Sequence, residues 1–278
     1  MEILTHRGLE PSNPNFFSES SFEAFQNHLS RGFGIEFDVN SCKDEIIIFH
    51  DSSLKRFGFD KNLSEMSFEE IKKINLGKGK IPTFGEIMNL IRKSSSAINA
   101  MHLKGKFQTT GFLNRLIEQL KKYPDVLDKI LIFDLKPETA KHLRNIFPEV
   151  HLALSVAHEY DIERYNSFVS GTLFSIKQAV EFKKRIFNWV WLDEWDTKNK
   201  DDSEKSFYTK ETFEKLREVG YKIALVTPEL HASSSGLLGG EAHADAKDKE
   251  TLFKRINEII FLKPDAICTD YPKEFSKT

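Results

Sequence analysis

Gly34 to Asp51 reads GIEFDVNSCKDEIIIFHD, and the fold is decided by how this stretch is parsed. Ile35, Phe37 and Val39 alternate with Glu36, Asp38 and Asn40, which is the pattern of a β-strand. A period of two places Glu36 and Asp38 on one face, with their carboxylates side by side. A second apolar run, Ile46 to Phe49, delivers His50 and Asp51 at its end. Two neighbouring carboxylates repel each other and are costly to desolvate, so the pattern predicts a positive charge between them. A divalent cation meets that need, because hard cations take oxygen ligands. His50, of a residue type that titrates near neutrality, is placed to transfer protons beside it. The competing reading of this stretch alone is a solvated sheet face followed by a surface His-Asp turn.

Outward from this stretch, strands and helices take turns along the whole chain, the pattern of a parallel sheet. Ile3 to Gly8 is expected as a strand ending in His6-Arg7-Gly8. A helix from Ser20 to Arg31 turns Phe22, Phe25 and Leu29 inward, with Ser20 and Glu23 as its capping pair. A small helix from Ser67 to Ile74 opens on a second capping box, Ser67 and Glu70. Ile81-Pro82-Thr83-Phe84 leads into a helix from Gly85 to Lys93. Further strands are expected at Ala97 to Lys104, Ile130 to Lys136, His151 to Val156, Trp189 to Trp195, Lys222 to Thr227 and Ala266 to Asp270. Helical sequence separates them, including a helix opened by Pro137 and one stopped by Gly220. Eight strands, each followed by helical sequence, predict a (β/α)8 TIM barrel forming one domain over residues 1–278. A doubly wound open sheet is the runner-up, but no Gly-rich phosphate loop follows any strand.

Composition narrows the partners. The 278 residues carry 40 Lys+Arg and 42 Asp+Glu, a formal net charge of −2 with the signs interspersed. That balance makes no case for nucleic acid or a membrane surface as partner. Cys42 and Cys268 are the only cysteines, which argues for a reducing compartment and against a disulfide scaffold. No apolar run approaches membrane-spanning length, and Met1-Glu2-Ile3-Leu4 lacks the basic start of a signal segment. The expectation is a cytoplasmic protein without integral membrane association, acting on a small molecule.

In a barrel the strand C-termini share one face, and that face carries the active site. The polar residues ending the first three strands are His6 and Arg7, then Glu36, Asp38 and nearby His50, then His102 and Lys104. Three histidines, two carboxylates and two cations therefore converge. A cation held by few protein ligands keeps positions open for a substrate oxygen and water. Arg7 offers a planar fork suited to phosphate and Lys104 a point charge. Together these residues describe a phosphoryl site.

At this point the chain resembles the glycerophosphodiester phosphodiesterases. Their opening H-R-G is His6-Arg7-Gly8, and their E-N-[ST] helix entry stands as Glu19-Ser20-Ser21. Their G-x-x-x-E-x-D-V, K-D and H-D are matched by Gly32, Glu36, Asp38-Val39, Lys43-Asp44 and His50-Asp51. Leu54, Arg56, the I-P-T at Ile81 to Thr83 and the end Thr269-Asp270-Tyr271-Pro272 also fit. The resemblance implies metal-dependent hydrolysis of a glycerophosphodiester to glycerol 3-phosphate and an alcohol, within lipid metabolism. By position it makes Glu36 and Asp38 metal ligands, His6 and His50 the acid-base pair, and Arg7 and Lys104 phosphate-binding groups. His6 is expected as base and His50 as acid, with the reverse assignment open.

The departures from the family pattern matter. The family offers E-x-K on the third strand, where this chain has His102-Leu103-Lys104. His102 is expected as a replacement ligand, in a site for one divalent cation: Mg, Ca or Mn, with Zn or Co brought within range by the imidazole. The seventh strand ends Val226-Thr227-Pro228 without the family's Trp, so the pocket wall is altered. Asp193 and Glu194 could meet a polar head group, whereas Trp191, Trp195 and the 24 phenylalanines read as packing. The stretch 228–248 reads as a lid or as a plain surface loop, with His231 and His243 solvated. Two alternatives stand beside glycerophosphodiester hydrolysis: a phosphodiesterase for another lipid-head-group or sugar-phosphate diester, and a non-catalytic phosphate-ligand binder. The pair His6 and His50 argues against the binder, which needs no acid and base.

Overall fold

The computed structural model describes residues 1–74, 76–182, 186–230 and 243–276. Strands lie at β1 Glu2–His6, β2 Gly34–Ser41, β3 Ile46–Ile48, β4 Asn99–His102, β5 Ile130–Phe133, β6 His151–Ala157, β7 Leu173–Phe174, β8 Trp189–Asp193, β9 Lys222–Val226 and β10 Ala266–Thr269. Helices alternate with them, and the fold is a (β/α)8 barrel. Its eight main strands are the eight anticipated from the sequence. The two additions are short: β3 folds back antiparallel on β2, and β7 pairs only with β6.

The chain divides into two compact units, one of Ile3–Leu131 with Asp270–Thr278, the other of Met1–Glu2 with Ile132–Thr269. In the first, β2 is the central strand. It pairs in parallel with β1, placing His6 opposite Glu36, and with β4, placing Asp38 opposite His102. Nearly every residue of β2 is buried, and Phe37, like Phe25, Phe49 and Phe84, is fully enclosed. Gly34 opens the strand because a Cβ there would lie 2.2 Å from the Ile98 carbonyl oxygen. A second apolar cluster, including Cys42, Ile47, Phe49, Leu54, Leu63 and Met66, fills the irregular segment after β3. That packing explains why 52–66 is ordered without long elements.

Two local expectations need correction. Ser20 does not cap the first helix: Phe22–Ser30 is capped by Ser21, whose hydroxyl accepts from the Ala24 N–H at 3.2 Å. Ser20 has a φ of +55°, and its N–H instead donates to the Arg7 carbonyl at 2.7 Å. The helix after the Ile81–Thr83 motif starts at Phe84, because Thr83 and Glu86 form a capping box. The Ser67–Glu70 box is present as anticipated.

In the second unit, β6, β8, β9 and β10 pair in parallel in that order. Trp191 stacks on Phe133 at 3.9 Å and Trp195 on Tyr165 at 4.7 Å, so both tryptophans are packing residues, as expected. Tyr208 ties two strands together, its one hydroxyl hydrogen shared between the carbonyls of Leu192 and Val226 at 3.2 and 2.8 Å. Lys205 is buried with Asp161 and Asp196, and Arg164 reaches the same two carboxylates. Most of the described phenylalanines are core or half-buried, although Phe17, Phe59, Phe168 and Phe261 are exposed. The residues 231–242, including His231 and most of the anticipated lid, lie outside the described residues. No helix among the described residues is long and apolar enough to cross a membrane.

Candidate active site

The polar residues expected at the strand ends meet within the first unit. After β1 the chain turns through Arg7 and Gly8, both left-handed at φ +50° and +68°. Glycine suits the second position, since a Cβ there would meet Ala24 Cβ at 3.0 Å. Arg7 is a non-glycine held in a costly backbone region. Its N–H donates to the Glu36 carbonyl at 3.1 Å and to Glu36 Oε2 at 3.3 Å, which orients the first acid of β2.

Glu36 and Asp38 are buried on the same strand, as the alternation predicts. Their surroundings drive them apart. Burial, and then the charge of Asp38, push the Glu36 carboxyl up to about 7. Burial also acts to raise Asp38, but Lys104, His50 and His102 outweigh it and hold the carboxyl well below the ordinary range. Asp38 Oδ1 lies 2.9 Å from His102 Nδ1 and 3.1 Å from Lys104 Nζ. Among the described residues Asp38 Oδ2 is buried with no hydrogen-bond partner, and Arg7 Nε lies 3.7 Å from it.

Both candidate acid-base histidines have the same architecture. His6 Nδ1 donates to Asp270 Oδ1 at 2.9 Å, and His50 Nδ1 donates to Asp51 Oδ1 at 2.7 Å. In each ring that bond sets the tautomer and leaves Nε2 as the nitrogen for chemistry. Burial, as the leading cause, lowers His50 to about 4 against the pull of Asp38 and Asp51. Asn40 places this end of the hairpin, donating to the carbonyls of Phe49 and Asp51 at 3.1 and 2.7 Å. Lys104 donates to the His50 carbonyl at 2.7 Å, so it braces Asp38 and His50 as well as facing the site.

Asp51, Asp270, Arg56 and Glu19 were given no role by the sequence reading. Arg56 joins Asp51, at 2.9 Å, to Glu19, linking the loops that follow β1 and β3. The H-D pairing could have flagged Asp51. Asp270 stands in the closing Thr269-Asp270-Tyr271-Pro272 match, but nothing in that motif points to His6, its partner at the opposite end of the chain.

Ligand atoms of Glu36, Asp38 and His102 all lie within 4.8 Å of one another. The orphaned Asp38 Oδ2 and the strained ionisation of Glu36 fit a divalent cation with oxygen and imidazole donors. Glu194, His243 and Asp245 form a second such group in the other unit. There Arg255 already lies 3.3 Å from Glu194 Oε1 and 3.4 Å from Asp245 Oδ2, supplying the positive charge from within the protein. His243, expected in solvent, is buried: its Nδ1 accepts from the Asp245 N–H at 3.2 Å as the cap of a short turn. Glu194 is likewise a packing residue among the described contacts, accepting from the N–H groups of Phe207 and Tyr208.

The chain is similar in fold to several solved structures. A protein of Galdieria sulphuraria described as a glycerophosphodiester phosphodiesterase aligns with a TM-score of 0.64 at 22% identity, covering 98% of this chain and 94% of that one. A glycerophosphodiester phosphodiesterase from Agrobacterium tumefaciens aligns at 0.62 and 16% identity, covering 99% of both. A phosphodiesterase of Oleispira antarctica, in complex with the product sn-glycerol-3-phosphate, aligns at 0.62 and 18% identity, covering 98% and 94%. No curated protein matches the chain. The family model described as the glycerophosphoryl diester phosphodiesterase family matches residues 6–183. That span holds His6-Arg7-Gly8, Glu36, Asp38 and His50-Asp51, so the chain belongs to the glycerophosphoryl diester phosphodiesterase family and is a phosphoric diester hydrolase.

Proposed function

We propose that this protein hydrolyses a glycerophosphodiester to glycerol 3-phosphate and an alcohol, with one divalent cation held by Glu36, Asp38 and His102. The observation that carries this reading is the pair of carboxylate-anchored histidines, His6 on Asp270 and His50 on Asp51, beside a buried acid with an orphaned oxygen. A module that only binds phosphate has no use for two such imidazoles. The ion is Mg, Ca or Mn, with Zn or Co admitted by the His102 imidazole. When bound, it supplies Lewis-acid polarisation of a phosphoryl oxygen.

The protein's own groups do the rest. Arg7 and the remaining ammonium hydrogen of Lys104 hold non-bridging phosphoryl oxygens. His50 is held neutral by burial, so its Nε2 is the proton acceptor for the attacking hydroxyl. The buried Asp270 carboxylate orients the His6 ring, whose Nε2 delivers a proton to the departing alkoxide. This reverses the roles first expected for the two histidines. We also propose a cytoplasmic location, supported by Cys42 and Cys268, both buried thiols outside any disulfide.

The test is hydrolysis of glycerophosphoglycerol with coupled detection of glycerol 3-phosphate, with and without a chelator. Turnover should stop with the chelator, and His6→Ala or His50→Ala should each lower kcat by at least about a hundredfold. Turnover that survives both histidine substitutions would sink this assignment.

A further inference from the structure

Lys106 follows Lys104 on the short turn Gly105–Phe107 beyond β4, on the same strand-end side as the cluster described above. It differs from the other cations there. Arg7 lies between Asp38 and Glu19, Arg56 between Asp51 and Glu19, and Lys104 against Asp38 and the His50 carbonyl. Three of the carboxylates are equally taken: Asp270 and Asp51 by the two histidines, Asp38 by His102 and Lys104. Among the described residues Lys106 makes no ion pair within 4.0 Å, and its ammonium rests 4.9 Å over the Phe107 ring. It is nonetheless within electrostatic reach of Lys104, Asp38 and Asp51. Partial burial first, and Lys104 second, lower its pKa, the mark of a charge short of compensation.

Depth distinguishes what Lys106 can touch. His6, Arg7, Glu36, Asp38 and His50 are buried, so the phosphorus belongs at their level. Lys106 is exposed over the residue as a whole although its ammonium is partly desolvated, so it stands nearer solvent than those buried groups and can meet only the part of a diester beyond the phosphorus. We propose that Lys106 selects the leaving alcohol, favouring diesters whose alcohol carries its own anionic group, a carboxylate or a second phosphate. The proposal rests on the hydrolase reading above and adds the substrate class to it. A cationic alcohol such as choline meets Lys106 as a like charge.

The experiment compares kcat and KM for four diesters: glycerophosphoglycerol (neutral), glycerophosphocholine (cationic), glycerophosphoglycolate (carboxylate) and glycerophosphoinositol phosphate (second phosphate). The two anionic arms separate the sources of the charge. Lys106→Met should lower the ratio of kcat/KM for the anionic over the neutral diesters about fivefold, through KM rather than kcat, as expected for one solvent-facing ion pair. Lys106→Glu should bring the choline diester ahead of the anionic ones, and the preference should weaken as salt is raised. Unmoved ratios in both variants, with unchanged melting temperatures, would overturn the role of Lys106 while leaving the hydrolase reading intact. Absence of turnover by the wild type on all four diesters with every cation would overturn both.

Discussion

At the scale of single residues, the site is built from acids and bases whose ordinary ionisation has been displaced. Asp38 is held ionised by three positive or hydrogen-bonding neighbours, whereas Glu36, on the same strand, is pushed toward the neutral form. That split follows from packing two carboxylates into one buried space. His102 donates to the ionised one where the family pattern offers a third acid. His102→Glu restores that acid and adds a negative charge, so Mg or Ca should bind more tightly relative to Zn, by about tenfold or more. Calorimetric titration of the metal-free protein reads this without reference to turnover. An unchanged order of affinities would remove His102 from the ligand set.

At the scale of elements, β2 holds the candidate site together because its two neighbours place one histidine each in register with its acids: His6 opposite Glu36, and His102 opposite Asp38. The alignment depends on a close approach at Gly34, where a Cβ would meet the Ile98 carbonyl at 2.2 Å and Leu4 Cδ2 at 2.6 Å. A backbone oxygen has no rotamer to escape into. Gly34→Ala should therefore destabilise the protein by about 2 kcal/mol or more, measured by urea unfolding. It should also weaken the proposed metal binding, since the strands carrying Glu36, Asp38 and His102 must part. A change below about 0.5 kcal/mol would show that the sheet accommodates the methyl group.

At the scale of the whole molecule, the buried histidines set an acid limit. His28 and His50 are each lowered to about 4, with burial the leading cause. Between pH 6.5 and 4 the unfolded chain takes up protons at both rings while the native protein does not, so stability falls as pH falls. Each ring contributes roughly 3 kcal/mol across that window at most. Glu36 works in the opposite direction: raised to about 7, it keeps its proton in the native state, and stability contributed there falls as pH rises from 4.5 to 7. The two histidines outweigh the one acid, so the metal-free protein should unfold more readily at pH 4 than at pH 6.5. His28→Gln should flatten the profile, since this buried ring packs beside Phe16 and bonds the Gly8 carbonyl. Melting temperatures across that range check it, and a flat or inverted profile in the wild type would refute it. Local pattern alone determined the eight main strands, the acid pair on one face of β2 and the gathering of His6, Arg7, His50, His102 and Lys104 at strand ends. Periodicity is written in neighbouring residues, and the barrel topology converts strand ends into a common face. Only the tertiary structure decided that Asp270 orients His6, that Lys104 braces the His50 carbonyl, that Ser21 rather than Ser20 caps the first helix, and that His243 is buried. Each of these turns on a contact or a backbone dihedral set by distant chain, and the sign of a pKa shift depends on burial that no short window of sequence contains.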